Sequence, residues 1–203
     1  ENAGSGSQDE IMENEFYRLQ VNPATGAIGD LWVKKTGWHV LSTAGNVVAQ
    51  EEDQGDLWEP YRPLDGGQFV TMKERHPAPQ PGKAVLSTGQ AGTEWMVKRG
   101  PVFSEITVTH PFAEKGRIST CIRLFAGLRR IEIRTKILNN DRFVRYRALF
   151  PTTIEQGKIV REIPFGAVEC PDGIEMPAQN WIDYGDGKQG FALLNRGIPG
   201  SNV

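Results

Sequence analysis

The sequence lacks any apolar run long enough to cross a lipid bilayer as a helix. Its longest apolar stretches, such as Phe191 to Leu194, are far shorter than the roughly 20 residues that a membrane-spanning helix needs. A basic excess is also missing, because 23 Lys and Arg residues stand against 25 Asp and Glu residues, for a formal charge of −2. These absences predict a protein that does not span a membrane and does not bind nucleic acid through a basic surface.

Cysteine and histidine are scarce. Cys121 and Cys170 are too few for a disulfide framework or for a cysteine-based zinc site. Cys121 lies within an apolar strand pattern, so we expect it to be a small buried hydrophobic residue. None of the three histidines, His39, His76 and His110, is followed two positions later by Asp. We therefore expect no metal ion and no other cofactor to be held by this chain alone.

Motifs of several enzyme classes are missing as well. The sequence contains no Gly-x-Ser-x-Gly, no phosphate-binding loop and no Gly-x-Gly-x-x-Gly, which are typical of hydrolase, nucleotide and dinucleotide sites. The polar, acidic start from Glu1 to Glu10 shows no export signal. Because no Asn-x-Ser/Thr acceptor occurs either, the sequence argues against a glycoprotein of the secretory pathway.

Helical periodicity is absent, and apolar residues recur at every second position instead. Residues 129–138 are the clearest case: Ile131, Ile133, Thr135 and Ile137 share one face, and charged residues occupy the other. This alternation is typical of a strand with one buried and one solvated face. Residues 117–125 and 102–110 alternate in the same way, so we expect the three segments to form a meander.

The turns between these segments complete the fold prediction. Asn22 to Gly26 separates two alternating segments, and its Pro and Gly residues favour a tight hairpin connection. Many short strands separated by turns predict an all-β protein built as an antiparallel β-sandwich. We expect residues 1–10 to be a flexible lead or linker and residues 11–203 to form a single β-sandwich domain.

Exposed aromatic residues beside acids suggest carbohydrate binding, because sugar rings stack on aromatic rings while carboxylates take their hydroxyl groups. Residues 51–67 form a predicted long loop, a common place for function on a β scaffold. The candidate sugar-binding residues lie in this loop and in the last quarter of the chain: Asp56, Trp58, Glu59, Tyr61, Trp181 and Asp183. The alternative for Trp181, as for Trp32 and Trp95, is a place in the core.

Carboxylates are numerous enough to raise the question of glycoside hydrolysis. That reaction needs two acids roughly 5 to 10 Å apart on either side of the sugar. Glu162, Glu169, Asp183 and Asp186 cluster in the last quarter of the sequence, and Asp56 and Glu59 bracket Trp58. The alternative is that most of these acids are solvated surface residues, so no catalytic residue is assigned.

Five sequence segments resemble, in order, the β-rich C-terminal region of glycoside hydrolase family 38 α-mannosidases. The resemblance extends over residues 13 to 195, and its segments are residues 13–28, 130–133, 150–151, 162–169 and the pair 177–183 with 190–195. It implies an antiparallel supersandwich similar to galactose mutarotase. It also implies that zinc and the catalytic residues belong to preceding domains of the same polypeptide. The family region normally continues beyond Asn195 to Gly197 with further strands, so the chain is either an excised domain or a shortened relative.

Three functions remain open at this point. The first is a non-catalytic domain of an α-mannosidase-like enzyme that supports the catalytic domain and contributes to binding a mannose-containing glycan. The second is a free-standing carbohydrate-binding module that uses the aromatic loop around Trp58. The third is a mutarotase-like epimerase in which His76 or His110 and a carboxylate such as Glu169 exchange protons with the sugar.

Overall fold

The computed structural model describes residues 10–52, 84–92, 94–170, 176–197 and 200–201. They belong to two units of the chain: the first contains residues 10–52 and 84–153, and the second contains the described residues from 154 onwards. Every strand pair in the described ranges is antiparallel, and the one helix there is the short 3-10 turn Ser87–Gly89. The predicted all-β, antiparallel class is therefore confirmed.

Eleven strands of the first unit form three sheets in the described residues. The strands are β1 (Glu10–Glu13), β2 (Tyr17–Val21), β3 (Ile28–Val33), β4 (Trp38–His39), β5 (Val47–Glu52), β6 (Val85–Leu86), β7 (Glu94–Arg99), β8 (Phe103–Phe112), β9 (Gly116–Phe125), β10 (Ile131–Leu138) and β11 (Val144–Leu149). The strand orders are β1-β2-β3-β4, β10-β9-β8-β7 and β11-β5-β6. The first two sheets are meanders, and the third pairs strands that are far apart in sequence.

The hairpin turn between β2 and β3 is fixed by its sequence. The Asn22 side-chain oxygen accepts hydrogen bonds from the backbone N–H groups of Ala24, at 2.9 Å, and Thr25, at 3.1 Å. Gly26 has a φ of +71°, and a Cβ at this position would lie 3.2 Å from the Cβ of Thr120 on β9. Glycine is therefore favoured both by its backbone conformation and by this close approach, and the predicted turn is confirmed.

The meander of β8, β9 and β10 matches the prediction, and β7 extends it by one strand. On β9, Ile118, Thr120, Ile122 and Leu124 are all buried, as the alternation indicates. The corresponding face of β10 is less covered than expected, because its isoleucines are half-buried and Thr135 is exposed. The core of this sheet is therefore centred on β8 and β9.

One hydrophobic cluster joins the second and third sheets of the first unit. Val48 on β5, Phe112 on β8 and Ile118 on β9 are buried together, with Ile137 and Tyr146 packed against them. The rings of Phe112 and Tyr146 lie 6.0 Å apart between centroids. Strands from three separate stretches of the sequence therefore depend on the same apolar contacts.

Asn14 connects the β1–β2 turn to the β9–β10 turn through four hydrogen bonds. Its side-chain oxygen accepts from the backbone N–H groups of Phe16, at 2.9 Å, and Tyr17, at 2.7 Å. Its side-chain nitrogen donates to the carbonyl oxygens of Phe125, at 2.8 Å, and Leu128, at 3.2 Å. A single half-buried amide thus links segments more than a hundred residues apart in sequence.

We expect Asn14→Ala to lower the free energy of unfolding by about 2 kcal/mol, because several hydrogen bonds worth about 1 kcal/mol each are lost and partners are left unsatisfied. Urea unfolding followed by circular dichroism measures this loss. Asn14→Asp is the matched control, since the carboxylate keeps the accepting role and loses the donating one. We expect the Asp variant to lie between the wild type and the Ala variant. Equal stability of all three proteins would contradict the linking role.

The second unit contains one four-stranded sheet and one short strand pair in the described residues. Its strands are β12 (Lys158–Ile163), β13 (Gly166–Cys170), β14 (Met176–Pro177), β15 (Trp181–Gly185), β16 (Gly190–Leu194) and β17 (Gly200–Ser201). The larger sheet has the order β13-β12-β15-β16, and β14 pairs with β17. Ile159, Arg161, Cys170 and Ile182 are buried on one side of the larger sheet, so the alternating residues form its opposite, outward face.

The structure contradicts one prediction and one alternative about individual core residues. Cys121 is only half-buried, because it alternates with the buried residues of β9 and lies on the other face of the sheet. Burial raises the pKa of its thiol, and the nearby Glu105 adds to that rise. Trp95 is 46% exposed, because it lies on the edge strand β7, so its interpretation as a core residue does not hold. Within the described ranges, no helix has the length and apolar character needed to cross a membrane.

Candidate functional site

The outward face of the larger sheet in the second unit brings together residues that the sequence singled out. We call it the Trp181 face. Its members alternate with the buried residues of the four strands and are Lys158, Val160, Glu162, Ala167, Glu169, Trp181, Asp183, Ala192 and Leu194. The face thus combines one indole ring, three carboxylates and several small apolar side chains.

Trp181 and Asp183 lie two residues apart on β15 and therefore on the same side of the sheet. Both side chains are half-buried. Trp181 pairs with Leu194, which is 74% exposed, on the neighbouring strand β16. The α-carbons of Trp181 and Asp183 are roughly 7 Å apart along β15. At this separation, one sugar ring can contact both side chains.

The surroundings of Asp183 leave its carboxylate available to a ligand. Its cross-strand neighbours are Val160 on β12 and Ala192 on β16, and neither has a polar side chain that could hydrogen-bond a carboxylate. Gly185 and Gly190 also lie beside it, and a Cβ on either would come within 4 Å of a carboxylate oxygen. Among the described residues, the neighbours of the Asp183 carboxylate on the flanking strands are therefore small or apolar.

The other carboxylates of this region are occupied by local contacts. Glu162 accepts a hydrogen bond from the backbone N–H of Asn180 at 2.8 Å, and Glu169 pairs with Lys158 at 3.0 Å. Asp186 does not belong to the face, because it lies in the turn after β15. There it accepts hydrogen bonds from the backbone N–H groups of residues 188 and 189, both at 2.8 Å. These bonds lower the pKa of the Asp186 carboxyl, which indicates a structural role in the turn.

Glu169 and Asp183 flank Val160 from the two neighbouring strands. Their α-carbons are therefore two strand spacings apart, roughly 10 Å. An inverting glycosidase places its two carboxyl groups roughly 6.5–9.5 Å apart, whereas here the Glu169 carboxylate forms an ion pair with Lys158 at 3.0 Å. Of these two carboxylates, Glu169 is therefore engaged in an ion pair, and Asp183 lies across Val160 from it.

The other residues proposed from sequence as binding or catalytic either lie outside the described residues or are buried. Asp56, Trp58, Glu59 and Tyr61, like His76, lie outside the described residues. His110 is only 1% exposed, and its ring nitrogens lie 2.7 Å and 3.2 Å from the carbonyl oxygens of Pro111 and Thr25. Because the His110 ring is buried and both of its nitrogens face carbonyl oxygens, it is not accessible for proton exchange with a sugar. The epimerase hypothesis therefore loses one of its two candidate histidines.

The described residues do not fit a metal site. No group of three or more His, Cys, Asp or Glu side chains in the described ranges is arranged to hold a metal ion. Zinc coordination takes three or four such ligands. The described residues therefore offer no set of ligands that would hold a zinc ion.

Comparison with known protein families identifies the family to which the chain belongs. The family model for the glycosyl hydrolases family 38 C-terminal domain matches residues 12–203. No curated protein sequence matches the chain.

Two similar solved structures come from Enterococcus faecalis. One is an alpha-mannosidase from strain V583 and the other is a protein in the glycosyl hydrolase family 38. Each is 16% identical to the chain, with a TM-score of 0.75, and the match covers all of this chain. The chain spans 25% and 26% of the length of these two proteins, respectively. The structural likeness agrees with the antiparallel β fold, and the match over residues 12–203 shows that the chain belongs to the family of glycosyl hydrolase family 38 C-terminal domains.

Proposed function

We propose that the chain is a non-catalytic part of a larger α-mannosidase-like glycoside hydrolase, where it supports the catalytic domain of the same polypeptide. The observation that carries the proposal is the family match over residues 12–203, together with the chain's coverage of only a quarter of a similar alpha-mannosidase. The engaged carboxylates of Glu162 and Glu169 agree with a non-catalytic role. In this proposal the preceding catalytic domain supplies both zinc and the reacting carboxylates.

We further propose that the Trp181 face contributes to carbohydrate binding. Trp181 offers an indole ring for the apolar face of a sugar, and Asp183 offers two oxygen atoms that accept hydrogen bonds from its hydroxyl groups. Leu194 extends the apolar surface beside the indole ring. A mannose-containing glycan is the ligand that the family relationship suggests.

We expect the 203-residue chain to bind mannotriose and expect Trp181→Ala to weaken this binding about tenfold or more, because an aromatic anchor at a binding surface contributes more than 1 kcal/mol. Asp183→Asn keeps the shape of the side chain and should weaken binding less. Isothermal titration calorimetry measures both effects. Trp95→Ala removes an exposed tryptophan from the other unit and serves as the matched control.

Two results would contradict this assignment. Unchanged affinity in the Trp181→Ala variant would exclude the face. Loss of binding in Trp58→Ala, with full binding in Trp181→Ala, would instead favour the carbohydrate-binding module centred on the aromatic loop.

A chain that hydrolyses an aryl α-mannoside when zinc is added would contradict the non-catalytic role. The coding sequence upstream provides a further test, since it should encode a His-x-Asp motif and a later catalytic Asp.

A further inference from the structure

The outward face of the β1–β4 sheet carries a second aromatic and polar surface, in the first unit of the chain. Glu13, Arg18, Trp32 and His39 are consecutive cross-strand partners from β1 to β4 and form one row across the sheet. We call this the Trp32 row. Asp30, two residues before Trp32 on β3, lies on the same face beside the row.

Trp32 and His39 form a stacked pair. Their ring centroids are 6.1 Å apart, and the ring planes are inclined by only 11°. The His39 side chain is 61% exposed although Trp32 covers one side of its ring. The opposite side of the imidazole ring and its outer edge are therefore open, so a further ring can continue the stack onto His39.

Asp30 orients the imidazole ring of His39 through a hydrogen bond at Nδ1. Its Oδ1 atom lies 2.9 Å from Nδ1 of His39. Because an ionised carboxylate only accepts hydrogen bonds, Nδ1 carries the proton, and in the neutral ring Nε2 is left as an acceptor. The second oxygen of Asp30 remains as another acceptor, since its side chain is 26% exposed. The open ring is thus bordered by groups that accept hydrogen bonds from hydroxyl groups.

The charges on this face are balanced. Lys34 hydrogen-bonds and pairs with Glu13, and together with the weaker influence of Arg18 it lowers the pKa of the Glu13 carboxyl. The basic groups of Arg18 and Lys34 match the acidic groups of Glu13 and Asp30 in number. Because neither sign dominates, the face offers no net charge for an anion or a cation to complement, and a neutral ligand meets no electrostatic penalty there.

The face also lacks the apolar patch that a protein partner of ordinary affinity requires. Of its described large apolar side chains, only Ile11 on the edge strand β1 is exposed, at 40%. One stacked aromatic pair surrounded by hydrogen-bonding groups is instead the composition that recognises a polyhydroxylated ring.

We propose that the Trp32 row and Asp30 form a binding site for a neutral pyranoside, which stacks on His39 and donates hydroxyl hydrogen bonds to Nε2 of His39 and to Asp30. The guanidinium of Arg18 lies on the same row and offers donors to the sugar oxygens. The site belongs to the other unit of the chain and does not depend on the Trp181 face.

The proposal is tested with the 203-residue chain and three neutral probes: mannotriose, maltotriose and cellotriose. Nuclear magnetic resonance titration follows the indole N–H of Trp32 and the imidazole ring of His39, and calorimetry gives the affinity. We expect at least one probe to shift both signals with saturation. His39→Ala should weaken binding at this site about tenfold, and Asp30→Asn should weaken it by a smaller factor.

Two control variants separate this site from its surroundings and from the Trp181 face. Lys35→Ala changes an exposed residue of the adjoining β3–β4 turn and should leave the affinity unchanged. Trp181→Ala should leave the shifts of Trp32 and His39 unchanged, whatever it does to binding at its own face. The proposal is overturned if no probe shifts the two signals at 10 mM, a concentration chosen as about ten times a weak Kd of 1 mM. It is also overturned if His39→Ala and Asp30→Asn bind as the wild type does.

Discussion

Replacing Phe112 with alanine should lower the free energy of unfolding of the chain by about 3–5 kcal/mol, which is the range for truncating a buried phenylalanine. Phe112 is 1% exposed and lies at the centre of the cluster with Val48 and Ile118, where it also contacts the ring of Tyr146. Its truncation removes apolar contacts from two sheets at once and leaves a cavity between them. Urea unfolding, followed by far-ultraviolet circular dichroism, measures the loss.

Phe143→Ala is the matched control for this prediction. Phe143 is a phenylalanine of the same unit, but its side chain is 80% exposed. Its truncation should change stability by no more than about 0.5 kcal/mol, as is usual for a surface position. Phe112→Leu provides an intermediate, because it keeps most of the apolar volume and should recover more than half of the loss. Similar stability of the Phe112→Ala and Phe143→Ala variants would show that the cluster does not hold the two sheets together.

Glu105→Gln should lower the free energy of unfolding by about 2 kcal/mol at pH 7, because hydrogen bonds to a charged group contribute about 1.5–3 kcal/mol. The Glu105 side chain is only 7% exposed, and Oε2 accepts hydrogen bonds from Nε and Nη2 of Arg123 at 2.8 Å and 2.5 Å. Lys98 approaches the other oxygen at 3.7 Å. Glutamine keeps the shape of the side chain and removes the negative charge that both cations face.

The effect of this substitution should depend on pH in one direction. Burial raises the pKa of the Glu105 carboxyl, but hydrogen bonds from Arg123 and Cys121 and the charges of Arg123 and Lys98 outweigh it, so the pKa is lowered. A lowered pKa in the folded state contributes stability above the ordinary value of 4.5, and that contribution disappears as the pH falls through the folded-state value. The stability difference between wild type and Glu105→Gln should therefore be full at pH 7 and shrink below pH 4.5.

Glu94→Gln separates this effect from that of an ordinary surface pair. Glu94 pairs with Arg117 on the same sheet, but their side chains are 67% and 47% exposed, so the substitution should cost no more than about 1 kcal/mol at any pH. Measuring unfolding at pH 7, 5 and 3.5, values chosen to bracket the ordinary carboxyl pKa, gives the difference curves for both variants. A Glu105→Gln difference that stays constant down to pH 3.5 would contradict the lowered pKa.

The parts of the fold that follow from local sequence were predictable. Alternation along β9 is strict, so its buried residues could be assigned from sequence alone, and the turn from Asn22 to Gly26 contains the residues that such a turn requires. The exposure of Trp95 was not predictable in this way. An apolar residue on an edge strand follows the same alternation as one in a central strand, and only the sheet order distinguishes them.

In the candidate sites, too, only the features that depend on local sequence could be predicted. The spacing of two between Trp181 and Asp183 indicates that both lie on one side of a strand, and the structure agrees. The availability of Asp183 depends on Val160 and Ala192, which come from other strands. The stack of Trp32 on His39 likewise depends on the register between β3 and β4. Asp30 and Trp32 have the same spacing of two, which predicts from sequence that they share one face of β3.

The long-range pairing of β5 with β11 affects how the chain can be made. Glu51 and Arg145 are neighbours in the third sheet but are separated by 94 positions in sequence. At translation rates of about 5–20 residues per second, β5 leaves the ribosome roughly 5–20 s before β11 is available. Val47, Val48 and Ala49, which are buried in the finished sheet, are without this partner strand during that interval. During that interval, nascent chains can associate with one another through these apolar residues. Chaperone binding or slower initiation of translation would therefore increase the yield of folded protein.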